Sequence, residues 1–289
     1  MKVRILYHDH CFDGAASAAF FNRFVEESFY PGAEFAFTGM AHKAAQMFEP
    51  ELFDGDVNAI VDFKYSPDER LTWWFDHHQS AFLTPEDQAH YEATRAGRKL
   101  YLDIHSRSCT KFIARVAREE YGFEAPALAE LVQWADIIDG AVYEKPEIPV
   151  EMKEPALKLV LVIEAAKGSE AVQHIIRLMQ RCTLAEIVED PEVRALYGPL
   201  HERHLRSDPP TAAEVAACLA DIDAHLDASP VDPAAAGTVV GVAGTVTTLA
   251  AGVLGLTAYD RAVTDQAVLP ADDVRVLVQR LVAIALPER

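Results

Sequence analysis

The stretch LTWWFDHH, residues 71–78, is an apolar, β-rich run that ends without a spacer on one carboxylate and two imidazoles. A strand that only had to stop could end on Gly, Asn or Pro. Asp76, His77 and His78 instead place polar groups beside buried-looking residues, where desolvation is costly unless these groups bind something. The stretch therefore predicts a buried strand whose carboxyl-terminal tip belongs to a functional site.

Similar short apolar runs alternate with helical patterns through the first hundred residues, which is typical of an α/β fold with an open, mostly parallel sheet and helices on both faces. The predicted strands cover residues 3–7, 34–38, 57–63, 72–75 and 99–104. A helix is predicted over residues 15–28, and SPDE at residues 66–69 has the composition of a helix start. From about Cys109 the pattern is helical, with helices predicted over residues 110–121, 127–138, 155–166, 171–181 and 190–204.

A change of composition near SDPP, residues 207–210, introduces a second segment that is rich in Ala, Val and Thr. We therefore predict an α/β domain over residues 1–205 that ends in a helical segment, and a small, incomplete α/β piece over residues 206–289. Within this piece, residues 238–242 are predicted to form a strand, which is followed by a glycine turn and a helix over residues 245–254.

The composition of the chain restricts its function. The formal net charge of −19 at pH 7 argues against a broad electrostatic grip on DNA or RNA. A phosphate-bearing substrate fits such a chain only if metal ions reverse the local charge. The four cysteines form no C-x-x-C pair, the polar amino terminus does not resemble a signal peptide, and no stretch of eighteen apolar residues occurs. These features predict a cytoplasmic protein that binds neither a membrane nor long nucleic acid.

Polar residues follow most of the predicted strands, and the carboxyl ends of parallel strands meet at one edge of a sheet, where ligands bind. These residues stand at the ends of the strands: HDHCFDG (8–14) at the first, Asp62 at the third, DHH (76–78) at the fourth, and Asp103, His105 and Ser106 at the fifth. Asp136 and Asp139 lie three residues apart on a predicted helix and therefore share a face. Carboxylates with a few imidazoles suit Mn²⁺, Mg²⁺ or Co²⁺. Two such ions about 3.5–4 Å apart can clamp a phosphoryl group and activate a water.

The ordered set of HDHCFDGAASA (8–18), the strand before Asp62, DHH (76–78) and the later aspartate resembles the DHH phosphoesterase superfamily over about residues 1–205. The resemblance implies two bound Mn²⁺ ions, with Mg²⁺ or Co²⁺ as alternatives. The metal ligands that it implies are Asp9, Asp13, Asp62, His77 and Asp136, with Asp62 bridging the two ions. It also implies that Asp76 orients His77 from behind and that His78 faces the substrate phosphate.

Two features of the chain differ from that superfamily. Its members usually carry one more carboxylate in the first motif, where this chain has Cys11 or Ala15. His8, His10 or Cys11 is expected to fill that position, and Asp139 is a further candidate ligand beside Asp136. The glycine-rich loop of the usual C-terminal substrate-binding domain is also missing from the sequence.

The segments HLRSDPPTAAEVAA (204–217) and VGVAGTVTTLAAGVLGLTAYD (240–260) instead resemble the tail of exopolyphosphatase/guanosine pentaphosphate phosphohydrolase proteins, which have an actin-like fold. The resemblance implies that the loop of Gly241, Gly244 and Thr245 meets a phosphate through backbone N–H groups. Alternatively, these glycines serve only a turn and close packing. We favour the structural interpretation because the acidic residues of that family's site are missing from the chain.

The expected activity is that of a metal-dependent phosphoesterase that hydrolyses a phosphate ester or anhydride of a short oligonucleotide, a cyclic dinucleotide or a phosphoadenosine phosphate. The alternatives are a polyphosphate or pyrophosphate phosphohydrolase and a non-catalytic nucleotide- or phosphate-binding protein. A basic cluster beside the site is either a substrate-binding surface or an ordinary solvated loop. It comprises Arg95, Arg98, Lys99, Arg107 and Lys111, and the substrate contacts within this region are predicted to be Arg107, Ser108 and Lys111. The apolar helices of the tail must cover their faces on the first domain or in a homodimer.

Overall fold

The computed structural model describes residues 1–42, 48–206, 209–232, 235–241, 244–258 and 260–284. The chain divides into two compact units, Met1–His201 and Glu202–Arg289, where the sequence predicted a division after residue 205. Across the described residues, no helix combines the length and the apolar character that crossing a membrane requires. The predicted cytoplasmic location and the predicted homodimer remain predictions.

A five-stranded, wholly parallel sheet forms the centre of the first unit, in the order β2-β1-β3-β4-β5. Its strands are β1 (Lys2–His8), β2 (Glu34–Met40), β3 (Val57–Val61), β4 (Leu71–Asp76) and β5 (Lys99–Leu102). All five predicted strands and the α/β class are confirmed. From β1 the chain moves to β2 on one side of it and then returns past β1 to form β3 on the other side. The strand order therefore reverses at β1. In open parallel sheets, ligands bind in the crevice at such a reversal of strand order.

One face of the sheet is covered mainly by α1 (Phe12–Ser28), whose Ala- and Phe-rich sequence is buried along most of its length. Phe21 and Phe24 meet Trp73 of β4 edge-on, with ring centroids 5.6 and 5.7 Å apart. Further helices pack around α1 and complete this core. They are α3 (Cys109–Tyr121), α4 (Ala129–Asp139), α6 (Pro155–Ala165), α7 (Glu170–Met179), α8 (Leu184–Glu189) and α9 (Pro191–Arg206), while the short α5 (Glu147–Glu151) lies between α4 and α6.

The other face of the sheet carries a smaller core around Trp74, because successive strand residues point to opposite faces. Trp74 Nε1 donates to the Phe63 carbonyl at 2.9 Å, and its ring packs against Tyr91 of α2 (Pro85–Thr94). The sequence analysis missed α2, although Thr84 and Asp87 form a capping box at its start. Helices therefore cover both faces of the sheet, as predicted.

The helix start predicted at residues 66–69 is wrong, because these residues form the turn that leads into β4. The Ser66 hydroxyl accepts from the Asp68 backbone N–H, and the Asp68 carboxylate accepts from the Arg70 N–H. Ser and Asp bond to nearby backbone groups equally well in caps and in turns. The local composition therefore could not distinguish the two structures.

The second unit is helical. Besides the end of α9 it contains α10 (Ala212–Asp227), α11 (Gly244–Val253), α12 (Arg261–Thr264) and α13 (Ala271–Ala283). The strand predicted at residues 238–242 is not formed over 238–241, and residue 242 lies outside the described residues. A lone strand without a partner for its backbone hydrogen bonds is unstable in water. Gly252 allows close packing of α11 on α13, since a Cβ atom there would lie 2.7 Å from Leu277.

Candidate metal centre

Asp62 occupies the reversal of strand order, directly after β3. Its side chain is 1% exposed, and neither carboxylate oxygen has a hydrogen-bond partner. Its φ of 57° is in the left-handed region, where residues other than glycine are uncommon and often functional. A buried carboxylate without donors is unfavourable unless it meets positive charge. Asp62 is therefore placed and oriented as a ligand for a cation.

His77 faces Asp62 with two further carboxylates around the same ring nitrogen. His77 Nε2 lies 3.2 Å from Asp62 Oδ1, 3.4 Å from Asp139 Oδ2 and 3.8 Å from Asp13 Oδ2. Its other nitrogen, Nδ1, is 3.0 Å from the Ser106 carbonyl and donates to it. This bond turns Nε2 toward the carboxylates and makes it the nitrogen that a cation can bind, as in metal-binding histidines.

The opposite side of Asp62 carries a second group of ligand atoms. His8 Nδ1 lies 3.5 Å from Asp62 Oδ2, and Cys11 completes the group. The ligand atoms of His8, Cys11 and Asp62 all lie within 4.8 Å of one another, and the same holds for Asp13, His77 and Asp139. A third such group, which consists of Asp62, His77 and His78, joins the first two. Asp62 directs Oδ2 toward His8 and Oδ1 toward His77.

Asp13 is fixed by the amino terminus of α3. Its carboxylate accepts from the Cys109 N–H at 2.6 Å, from the Thr110 N–H at 3.0 Å and from the Thr110 hydroxyl at 2.6 Å. These bonds satisfy backbone donors at the start of α3. Gly14 permits the close approach of α1 to β1, because a Cβ atom there would lie 2.1 Å from the His8 carbonyl oxygen. In the sequence Asp13-Gly14, the aspartate therefore provides the ligand, and the glycine lets α1 lie close enough to β1 to place it.

Asp76 is fully buried and orients His78, whereas the resemblance implied that it orients His77. Asp76 Oδ1 accepts from His78 Nδ1 at 2.6 Å and from the His77 backbone N–H at 2.8 Å. The Ser106 carbonyl holds the His77 ring instead. Since the hydrogen bond to Asp76 raises the pKa of His78, the partly exposed His78 ring favours its protonated form and keeps Nε2 free to donate.

Of the two aspartates on α4, Asp139 and not Asp136 belongs to a ligand group. The two residues lie about 60° apart around the helix. Asp136 Oδ2 is 2.7 Å from Lys111 Nζ and 3.9 Å from Arg107, and Asp136 belongs to none of the ligand groups that the described residues form. On this helix, Asp139, which was predicted as a further candidate, therefore belongs to a ligand group, and Asp136, which was predicted as a ligand, does not.

Asp9 and His10 also lie outside the ligand groups formed by the described residues. Asp9 Oδ1 accepts from the His10 backbone N–H at 3.0 Å. The Asp9 carboxylate packs against Gly39 at the end of β2, where a Cβ atom would lie 2.4 Å from Asp9 Cγ. The His10 ring is 45% exposed, with Nε2 3.7 Å from Asp9. Both residues border the centre without entering it.

The negative charge of the centre changes the protonation of its members. Burial opposes the charged form of His77, but Asp62 and Asp13 raise its pKa to about 10. Burial and the charges of Asp62 and Asp139 raise the pKa of Asp13, and burial and Asp62 raise that of Asp139. A site that holds a proton this strongly is suited to a divalent cation that replaces it.

A basic cleft of about 430 Å³ lies beside the centre, between α3 and α4. Its cations are Arg107, Lys111, Arg115 and Arg118, and the last three recur on one face of α3. The cleft continues into an apolar region that includes Phe20, Phe123 and Ile137. The sequence analysis missed Arg115 and Arg118, although their spacing from Lys111 was readable.

Other members of the predicted basic cluster and of the predicted contacts lie elsewhere. Ser108 is fully buried as the N-cap of α3 and accepts from the Lys111 backbone N–H. Arg98 donates to the Leu71 carbonyl at the start of β4, and Lys99 lies over the Trp73 ring at 4.0 Å. Arg95 shares a surface with Lys99 at the amino end of β5. Of the predicted substrate contacts, only Arg107 and Lys111 line the cleft.

No protein-family model matches this chain, and no curated protein matches it. The function proposed below therefore rests on the geometry and chemistry of the centre.

Proposed function

We propose that the protein is a metal-dependent phosphoesterase of the DHH type. The observation that carries the proposal is the buried Asp62, whose two unpartnered oxygens face two separate groups of ligand atoms. Two-metal hydrolases need such a shared carboxylate between their ions. The position at the reversal of strand order supports the same interpretation, because substrates of open parallel sheets bind there.

Asp13, His77 and Asp139 would hold one cation with Asp62 Oδ1, and His8 would hold a second with Asp62 Oδ2. Mn²⁺ bound there, or Mg²⁺ or Co²⁺, would neutralise phosphoryl charge and lower the pKa of an attacking water. His78 contributes a positioned donor, because Asp76 accepts a hydrogen bond from its Nδ1–H and favours the imidazolium, whose Nε2–H can donate to a phosphoryl oxygen. The Ser106 carbonyl keeps His77 in its ligating tautomer.

The basic cleft supports a small phosphorylated substrate with an apolar or aromatic portion. Arg107 and Lys111 supply cations beside Asp136, which precedes Asp139 on α4 by three residues. Val132 and Phe123 provide an apolar wall. A polyphosphate or pyrophosphate would engage the cations but leave that wall uncovered. A short oligonucleotide, a cyclic dinucleotide or a phosphoadenosine phosphate would use both parts of the cleft.

The direct test is phosphate-ester hydrolysis by the purified full-length chain. We expect release of p-nitrophenol from bis-p-nitrophenyl phosphate with Mn²⁺, and its loss after chelation with EDTA. Tight binding of a short nucleotide together with no turnover under Mn²⁺, Mg²⁺ or Co²⁺ would instead favour a non-catalytic nucleotide-binding protein.

Arg107→Ala is expected to weaken substrate binding without slowing the chemical step. Arg107 reaches the cleft but belongs to neither ligand group, so we expect KM for a short nucleotide to rise about tenfold, as for the loss of one charged hydrogen bond. Arg95→Ala is the matched control, because it removes the same charge at the opposite edge of the sheet. A fall in kcat with an unchanged KM, or an equal effect of both substitutions, would contradict the assignment of the cleft.

A further inference from the structure

We propose that Cys11 is a thiolate ligand at the second metal position, together with His8 and Asp62. This assignment rests on the proposed function only in requiring a cation at Asp62. It makes the two positions chemically different. One offers carboxylates with an imidazole, and the other offers a thiolate with an imidazole and a shared carboxylate.

The backbone around Cys11 leaves its thiol free to act as a ligand. Cys11 is the N-cap residue of α1, with φ −128° and ψ 132°, and its side chain caps no backbone N–H. Its Sγ lies within 4.8 Å of the ligand atoms of both His8 and Asp62. The thiol therefore faces the centre from the start of the helix.

Unpartnered atoms of two residues, Asp62 and His8, point to a cation at the same place. Asp62 is 1% exposed with both carboxylate oxygens unpartnered, and the buried His8 Nδ1 has no hydrogen-bond partner either. Both residues belong to the ligand group of Cys11. A cation held by these three residues would satisfy His8 Nδ1 and the Asp62 oxygen directed at it, which the described residues leave without a donor.

The other cysteines differ from Cys11 in their surroundings. Cys109 is fully buried, and its thiol donates to the Phe75 carbonyl at 3.5 Å. Cys182 lies at the end of the helical layer, and Cys218 is exposed on α10. None of these three belongs to a ligand group among the described residues.

A sulfur ligand changes which ions the second position prefers. Thiolates favour borderline and soft ions such as Zn²⁺ and Co²⁺ over Mg²⁺ and Mn²⁺. Binding releases the thiol proton to solvent, so the ligand is the thiolate. We therefore expect the carboxylate-rich position to suit Mn²⁺ or Mg²⁺ and the Cys11 position to bind Co²⁺ or Zn²⁺ more tightly than Mn²⁺.

The test is a Co²⁺ titration of the metal-free, full-length protein without substrate. A thiolate bound to Co²⁺ gives a charge-transfer absorption in the near ultraviolet, which oxygen and imidazole ligands do not give. We expect this band to saturate at one equivalent and to fall to baseline in Cys11→Ser. The variant should fold, because serine is a preferred N-cap residue, and Cys11→Ala provides a second variant without capping ability.

The controls separate this position from the rest of the molecule. Cys182→Ser, Cys218→Ser and Asp139→Asn should keep the band, because none of them removes a member of the His8–Cys11–Asp62 group. A band that survives in Cys11→Ser, or wild-type protein that binds Co²⁺ in equilibrium dialysis without the band, would overturn the assignment. Wild-type protein with the band but without phosphoesterase activity would uphold the thiolate ligand and remove the proposed function.

Discussion

Asp62→Asn is expected to lower Mn²⁺-dependent hydrolysis at least about a hundredfold, equivalent to ~2.7 kcal/mol of the activation barrier. The substitution replaces the shared carboxylate by a neutral amide, which removes the negative charge that both ligand groups face. Asparagine is chosen over alanine because residue 62 has φ 57°, a conformation that asparagine tolerates better than most residues. Loss of activity would then report on the charge and not on the backbone.

Asp54→Asn is the matched control for Asp62→Asn. Asp54 accepts from Lys2 Nζ at 2.6 Å and from Arg4 Nε at 2.8 Å near the amino-terminal edge of the same sheet. The Asp54→Asn substitution removes an equal charge and a surface ion pair worth about 0–1 kcal/mol. Activity should therefore stay near the wild-type value. If Asp62→Asn retains more than about a tenth of the activity, Asp62 does not join two metal ions.

The sheet and the edge that carries the site could be predicted because their signals are local. A strand has a two-residue period, so Trp73 and Trp74 of one apolar run cover opposite faces. The strand that ends on Asp76-His77-His78 and the strand that ends before Asp62 are parallel neighbours, and this alone brings their tips together. The positions of Asp13, Asp62 and His77 follow from that reasoning.

The residues that were placed incorrectly depend on contacts between distant parts of the chain. The spacing of Asp136 and Asp139 places both on one face of a helix. Only the packing of α4 beside α3 brings Asp136 into contact with Lys111. Asp9 follows β1 but turns toward Gly39 of the neighbouring strand. The neighbours of Asp9 and Asp136 cannot be read from residue spacing. Ser108 is different, because it directly precedes a helix and its role as an N-cap could have been predicted from the local sequence.

Strong stabilisation by Mn²⁺ is the second large effect that we expect. The clustered carboxylates of Asp13, Asp62 and Asp139 repel one another, and an ion that neutralises them binds the folded state alone. At a hundred times its Kd, such a ligand adds about 2.7 kcal/mol to the free energy of unfolding. For a unit of about 200 residues, this corresponds to a rise in Tm of roughly 5–10 °C.

The three tryptophans provide a probe for this measurement, because Trp73, Trp74 and Trp134 all lie in the first unit. Their fluorescence should follow the melting of this unit alone.

We expect Asp62→Asn to abolish the Mn²⁺-dependent rise in Tm. Without metal, the variant loses the ion pair between Asp62 and His77 but also one of three carboxylates that repel one another, so its Tm should stay close to that of the wild type. A wild-type Tm that Mn²⁺, Mg²⁺ and Co²⁺ all leave unchanged would contradict the metal centre. A metal-free variant that melts well below the wild type would show that Asp62 stabilises the fold even without a bound metal ion.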